Sequence, residues 1–574
     1  MAGPVNADIS ASERRLDAVM AEYWEFTLRE EPIAATSVGV NDFNDRMPHV
    51  TRADQLRRLA VEKGFLRRAR DIDSESLNVD GQINLALFEW VLEDSIGAYG
   101  LNLSRIPFNT FSGFFMSALT ASDGVTMASV GDYEDYISRM ADIPRYFREN
   151  LDNMREGVKS GFVLPQIVIA GVLPTIEAQL KEEPQESSFF TPFLKMSDRV
   201  SEVDQENLRQ RGAAVIRNDV LPAFSELAEF LRCEYQASES IAAEDLPDGK
   251  DYYAFNIKRY TTLTNTSAKA IHQTGLKEVK RIRTDMDAII AELDFAGDFA
   301  AFADFLRNDP QFYATSGLQL LKEAAYVAKR IDYKMPGFFG KLPRQSYGIV
   351  PVPEEIAPNY TTGAYYAAPP GGSNGGAFWI NTFALDQRPL YEIPALTLHE
   401  AVPGHHHQAA LAMEMENVPA FRRSLYFSAY GEGWALYSEK LGVEMEAYQS
   451  PYEHFGRLSY EMWRACRLVV DTGLHSQGWS RQRAMDYFFD NTSLSAANIR
   501  SEVDRYISWP GQALAYKLGE LKIWELRRIA EQELGDQFEL RDFHDVVLGN
   551  GAVPLAMIED IVLRWIDATL ANES

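Results

Sequence analysis

Only two of the 574 residues are cysteine, Cys233 and Cys466. Two thiols cannot build a disulfide framework or a thiolate metal cluster, and both suit a reducing compartment. Long apolar runs are missing too: no stretch approaches the roughly 18–20 residues that span a bilayer. The opening MAGPVNADISASERRLDAV has no basic segment leading into an apolar one, so no export signal is read there. A cytoplasmic chain without a membrane partner is the expectation. Basic residues are scarce beside acidic ones, 56 against 83, which leaves a net charge of −27. Such a surface repels phosphate backbones, and no Lys/Arg stripe interleaved with aromatics offsets it, so nucleic acid is not an expected partner. Core-forming residues are abundant: 46% of the chain is hydrophobic, which places it among globular proteins of two or three domains or one two-lobed enzyme. Oligomeric state is left open, and a homodimer is compatible with this composition.

Most of the chain reads as helix. SERRLDAVMAEYWEFTLREEP repeats apolar residues at three- and four-residue intervals and stops at Pro32. VGDYEDYISRMADIPRYFRENLDNMREGVKSG does the same and ends near a glycine, and TSAKAIHQTGLKEVKRIRTDMDAIIAEL opens on Thr/Ser caps. QSYGIVPVP and GGAFWINTF are the strand candidates. The expected fold is therefore mainly α, with a mostly helical lobe over residues 1–330 and a second region over 331–574 holding a small β element. A cleft between the two lobes is expected. PPGGSNGG, from Pro369 to Gly376, reads as a flexible rim or a plain connecting loop.

Chemistry concentrates in LTLHEAVPGHHHQAA. Four of the nine histidines, His399, His405, His406 and His407, fall within nine positions. In a regular helix two imidazoles share an ion when they are four residues apart, about 6 Å along the axis. His399 and His405 are six apart, about 9 Å of rise and off-face. Pro403 removes a backbone donor and Gly404 permits unusual dihedrals, so two residues can loop out and restore the shared face. His399 and His405 are then the imidazole ligands, with His406 the alternative to His405. A third, anionic ligand fits SAYGEGWALYSEKLG, where Glu432 and Glu439 share a helical face. The glycines flanking Glu432 imply close approach to a neighbouring helix and favour it as the ligand; Glu439 suits a salt bridge equally well.

HEAVPGHHHQ followed by YGEGWALYSEKL resembles the bacterial domain-of-unknown-function family numbered 885, which is similar to gluzincin-type zinc metallopeptidases. The resemblance runs over most of the chain and is strongest from GGAFWINT to PGQALAYKLG. Gluzincin aminopeptidases carry their third ligand in an Asn-Glu-Gly-Phe-Ala-x-Tyr context, which GEGWALY matches at Glu432. Helical oligopeptidases place the second histidine after glycine, which maps onto Gly404-His405. The implied fold is a two-lobed helical metallopeptidase with a small sheet beside the zinc helix. The implied activity is hydrolysis of amide bonds in short peptides or peptide-like compounds, with one zinc per chain and Glu400 as general base. GGAFWINT resembles the edge strand that pairs with substrate in that superfamily, which makes Ala377 and Phe378 expected substrate contacts. His406 is a further substrate contact, a group behind the ligands or a helix end.

Two later segments supply the rest. In WRACRLVVDTGLHSQGW, Arg467, Asp471 and His475 recur every four residues on an apolar helix, as an internal brace or a pocket wall. As a wall, His475 would stabilise an oxyanion and Arg467 would contact substrate. In RYISWPGQALAYKLG, Tyr506 and Tyr516 are candidates for the hydroxyl that related helical zinc peptidases aim at the tetrahedral intermediate. Arg505 and Lys517 are candidates to hold a substrate carboxylate. Two imidazoles and a carboxylate also suit cobalt, manganese or nickel. Alternative functions are a zinc amidohydrolase acting on a modified amide, a silent metal- or peptide-binding protein, and a closed structural metal site completed by His406 or His407. Glu400 favours an enzyme, because a binder needs no general base.

Overall fold

Apolar periodicity becomes helix over most of the chain. The computed structural model describes residues 10–571 apart from 355, 369–373 and 417, so the first five residues of the PPGGSNGG stretch lie outside the described residues. Two compact units result. The first runs to Ile241 and takes in Asp245–Gly249 and Pro419–Ser424; the second comprises Ala242–Glu244, Lys250–Val418 and the chain from Leu425 onward. The division falls near residue 250, not at 330.

In the first unit α1 (Ala11–Glu30) starts on a capping box, Ser10 and Glu13 satisfying each other's backbone N–H groups, and ends just before Pro32. It joins α2 (Arg52–Arg70) and α3 (Val79–Gly100). The long α4 (Val130–Ser160) stops at Gly161, whose φ of 73° is the left-handed conformation that closes a helix. Its Phe147 meets Phe114 and, on α5 (Leu221–Cys233), Phe224 edge-on, each at 5.0 Å between centroids, which forms the aromatic centre of this unit.

The second unit holds α6 (Gly249–Thr261) from Lys250 onward, α7 (Ala268–Glu292) and α8 (Gly317–Phe338). A three-stranded sheet follows: β1 (Tyr347–Pro351), β2 (Gly363–Tyr366) and β3 (Gly376–Ile380). Then come α9 (Ile393–Glu400), α10 (His405–Met413), α11 (Ser428–Glu444), α12 (Pro451–Ser476), α13 (Ala496–Ser508) and α14 (Ala515–Leu534). Residues 268–338 belong here because α7 packs along α12 and α8 against α9. No helix among the described residues is long and apolar enough to cross a membrane.

Strand order is β1-β3-β2, with β1 parallel and β2 antiparallel to β3. The GGAFWINT segment is therefore the central strand, not an edge. Ala377 pairs with Gly348 on one side and Tyr366 on the other, and Phe378 is fully buried, so neither is placed to receive a peptide. The edge beside α9 is β2, which the sequence reading passed over; Gly363 rests on Leu396.

Candidate metal centre

Every residue of α9 is buried, and it ends at the His399-Glu400 pair. Here the backbone does what the Pro-Gly pair foretells. The Ala401 N–H still bonds back to Thr397, but the next inward bond runs from the His406 N–H to the Ala401 carbonyl, 3.1 Å across five residues. That wide step closes a non-helical turn over residues 401–404, which takes up the extra residues between the two helices. Gly404 presses onto the open end of α9, where a Cβ would stand 1.9 Å from the His399 carbonyl oxygen, so only glycine fits. Trp434 of α11 donates its indole N–H to the Pro403 carbonyl at 2.7 Å. The helix that supplies the third donor thus also pins the turn.

His399, His405 and Glu432 converge. Their donor atoms all lie within 4.8 Å of one another, and Glu432 Oε2 stands 3.5 Å from each Nε2. Ligands at the usual zinc distances and tetrahedral angles are separated by roughly 3.3 Å, so the trio fits one small cation. The two rings are perpendicular, which aims both Nε2 atoms inward without stacking. Glu439 does not join them. Its Oε1 accepts a hydrogen bond from His399 Nδ1 at 2.8 Å and fixes which nitrogen of that ring faces the site. Burial opposes charge on His399, but its bonds to Glu432 and Glu439 outweigh this and raise its pKa to about 9. Burial likewise opposes charge on Glu432, yet the two imidazoles hold that carboxyl well below its usual range.

Glu400, 9% exposed, follows His399 directly, and among the described residues no hydrogen bond holds its carboxylate. Tyr426 donates its hydroxyl to Glu432 Oε1 at 3.1 Å while its side chain stays 58% exposed. Nothing in the sequence marked it: it precedes α11 and belongs to no helical pattern.

Other predicted residues are placed elsewhere. His406 turns away from the trio, with Nδ1 at 3.0 Å from the Tyr365 hydroxyl and Nε2 at 3.1 Å from the Gln345 backbone carbonyl, so it does not join the trio as the second ligand. His407 is fully buried against Phe339. The Arg467-Asp471-His475 row is a brace. His475 accepts from the Ala243 N–H and faces the Tyr506 carbonyl at 2.9 Å, both nitrogens committed, and burial pushes it down to about 4. Asp471 accepts from the Tyr253 hydroxyl at 2.6 Å and from the Gly511 N–H. Arg467 pairs with Glu502 at 3.0 Å and bonds the Tyr506 hydroxyl, which itself donates to Glu502. Tyr506 is thereby locked in the core. Lys517 is buried among Glu461, Glu520 and Glu278, within 3.2 Å of each, and reaches no substrate. Arg505 bonds the Tyr516 hydroxyl at 3.2 Å and Gln512. Of the predicted tyrosines, Tyr516 is the one whose charge acts among the strongest on the Tyr426 hydroxyl.

The comparisons agree on the whole fold. A protein provisionally assigned as a lipoprotein from Colwellia psychrerythraea shares 27% identity at a TM-score of 0.92, over 97% of this chain and 100% of its own. Another such protein, of unknown function and from Shewanella oneidensis, superposes at 0.74 with 16% identity, over 96% and 100%, a likeness of fold alone. No curated protein matches. A family model, described as a bacterial protein of unknown function, matches residues 32–562, and the chain belongs to that family, DUF885.

Proposed function

We propose that the protein is a zinc-dependent hydrolase of amide bonds in short peptides or peptide-like compounds. The observation that carries this reading is the convergence of His399, His405 and Glu432 beside an uncommitted Glu400, with Glu439 orienting His399 from behind. Three donors leave a fourth position open, the arrangement of catalytic rather than structural zinc. A zinc ion bound there would supply Lewis acidity and acidify a water molecule. Glu400 then takes a proton from the attacking water on a carboxylate oxygen and returns it to the departing amide nitrogen. Tyr426 offers a hydroxyl to the oxyanion that forms as the carbonyl is attacked. An extended peptide added along β2 would run beside α9, with the Tyr366–Trp379 aromatic pair, 4.4 Å between centroids, against an apolar side chain. The closed structural site expected as an alternative loses support, because His406 and His407 both point away.

The test is elemental analysis of untagged protein followed by hydrolysis of a peptide library. About one zinc per chain, lost in His405→Ala and Glu432→Ala, with turnover abolished in Glu400→Gln, is the expected result. Absence of metal after reconstitution overturns the reading. The lipoprotein assignment of the Colwellia psychrerythraea protein favours the cell envelope over the cytoplasm, which fractionation of the source cells decides.

A further inference from the structure

Between α8, β1 and the turn after α9 lies a cavity of about 540 Å³, within the roughly 300–1,000 Å³ range of small-molecule sites. His399, His405 and Glu432 are not among its walls. Met335, Leu342, Ile349 and Val402 give it an apolar side. Its polar side mixes both signs. Asp332 accepts the Tyr347 hydroxyl at 3.2 Å and pairs at 2.7 Å with Lys329, whose side chain is 83% exposed, so that pair is a weak, solvent-screened one. Arg344 touches Glu414 only through its backbone N–H and Nε, and among the described residues its two terminal nitrogens have no partner. Gln345 Oε1 is buried in this wall with no hydrogen-bond partner among the described residues. His406 and His407 also line it, His406 with its Nδ1 on the Tyr365 hydroxyl and its Nε2 on the Gln345 backbone carbonyl.

We propose that this cavity binds a zwitterion with an apolar side chain, a free amino acid or a dipeptide. The carboxylate takes the open edge of the Arg344 guanidinium in a two-bond fork. The ammonium lies between Asp332 and Gln345 Oε1, and the side chain covers Met335, Leu342, Ile349 and Val402. A dianion would meet Asp332, and a neutral apolar molecule would leave the guanidinium edge and the orphan carbonyl unmatched. The site stands independently of the hydrolase reading.

Calorimetric titration of L-leucine into chelator-treated, metal-free protein tests it. Saturable binding is expected, unchanged in Glu432→Ala and weakened about 10-fold or more, roughly 1.4 kcal/mol, in Arg344→Gln and in Ala325→Trp. Ala325 is an exposed position on the cavity wall, so tryptophan there fills the cavity without entering the core. N-acetyl-leucine and leucinamide, each lacking one charge, are expected to bind as weakly as the variants retain leucine. The proposal is overturned by the absence of saturation up to about 20 mM, by equal binding in Ala325→Trp and Arg344→Gln, or by equal binding of either blocked analogue.

Discussion

Glu432 and Glu439 stand two helical turns apart on α11 and face the same imidazole from opposite nitrogens. One is placed to ligate and the other to orient, so their substitutions should separate. In Glu439→Gln the charge behind His399 disappears while Glu432 remains, and zinc affinity is expected to fall about 10–100-fold in chelator competition. Unchanged affinity would make Glu439 merely a core ion pair. Tyr426→Phe tests a different role. Zinc content should hold within twofold while kcat falls about 10²–10³-fold at nearly constant KM, the signature of a donor acting on the transition state. Loss of metal instead of rate would limit Tyr426 to supporting Glu432. Spacing and the Pro-Gly pair pointed to His399 and His405, but spacing left Glu432 and Glu439 as alternatives. The flanking glycines and the family resemblance favoured Glu432, and Glu400 was read from its place beside a ligand. Spacing could not place Tyr506 or Lys517, whose polar groups are held by Arg467 and Glu461, partners remote in the chain.

The element that makes the site is the break between α9 and α10, and its one indispensable residue is Gly404. Any Cβ there collides with the His399 carbonyl, so Gly404→Ala must push α10 outward and carry His405 off the shared position. Loss of bound zinc together with a stability loss of about 2 kcal/mol or more is expected from metal analysis and denaturant unfolding. Retention of both would show that the turn can relax. Pro-Gly foretold this break, whereas the sheet order was not legible: β2 and β3 are both short and aromatic, and only tertiary pairing decides which lies in the middle. The α12 row reads differently once its partners are known. Asp471 is pushed up to about 7 from its usual 3.8, since burial outweighs the bonds from Tyr253 and Gly511. Below about pH 4 folded and unfolded forms both hold the proton and the fold carries no penalty. As pH rises toward 7 the unfolded chain releases it first, so stability falls, by about 4 kcal/mol at the upper bound. Asp471→Asn has no such proton, and its Tm relative to wild type should be more favourable at pH 8 than at pH 4. A gap independent of pH would mean that Asp471 folds in its ionised form.

At the scale of the whole chain, helical class was readable from periodicity, but the division between units was not. Periodicity shows that residues 268–338 are helical, and only the packing of α7 on α12 and α8 on α9 assigns them to the second unit. Charge is the other whole-molecule property, and it acts on stability without reference to any one contact. With a net charge of −27 the folded surface repels itself, and the unfolded chain relieves this by spreading the charges apart. Ions screen such exposed repulsion over about 10 Å at 0.1 M, whereas the buried cluster around Lys517 is shielded from them. Added sodium chloride should therefore raise Tm, by on the order of 2–4 °C between about 10 and 150 mM, the shift that about 1 kcal/mol gives in domains of 150–250 residues. Scanning calorimetry at fixed pH measures it. A fall in Tm over that range would mean that surface ion pairs such as Arg68–Glu22 and Arg57–Glu30 contribute more than the net repulsion costs.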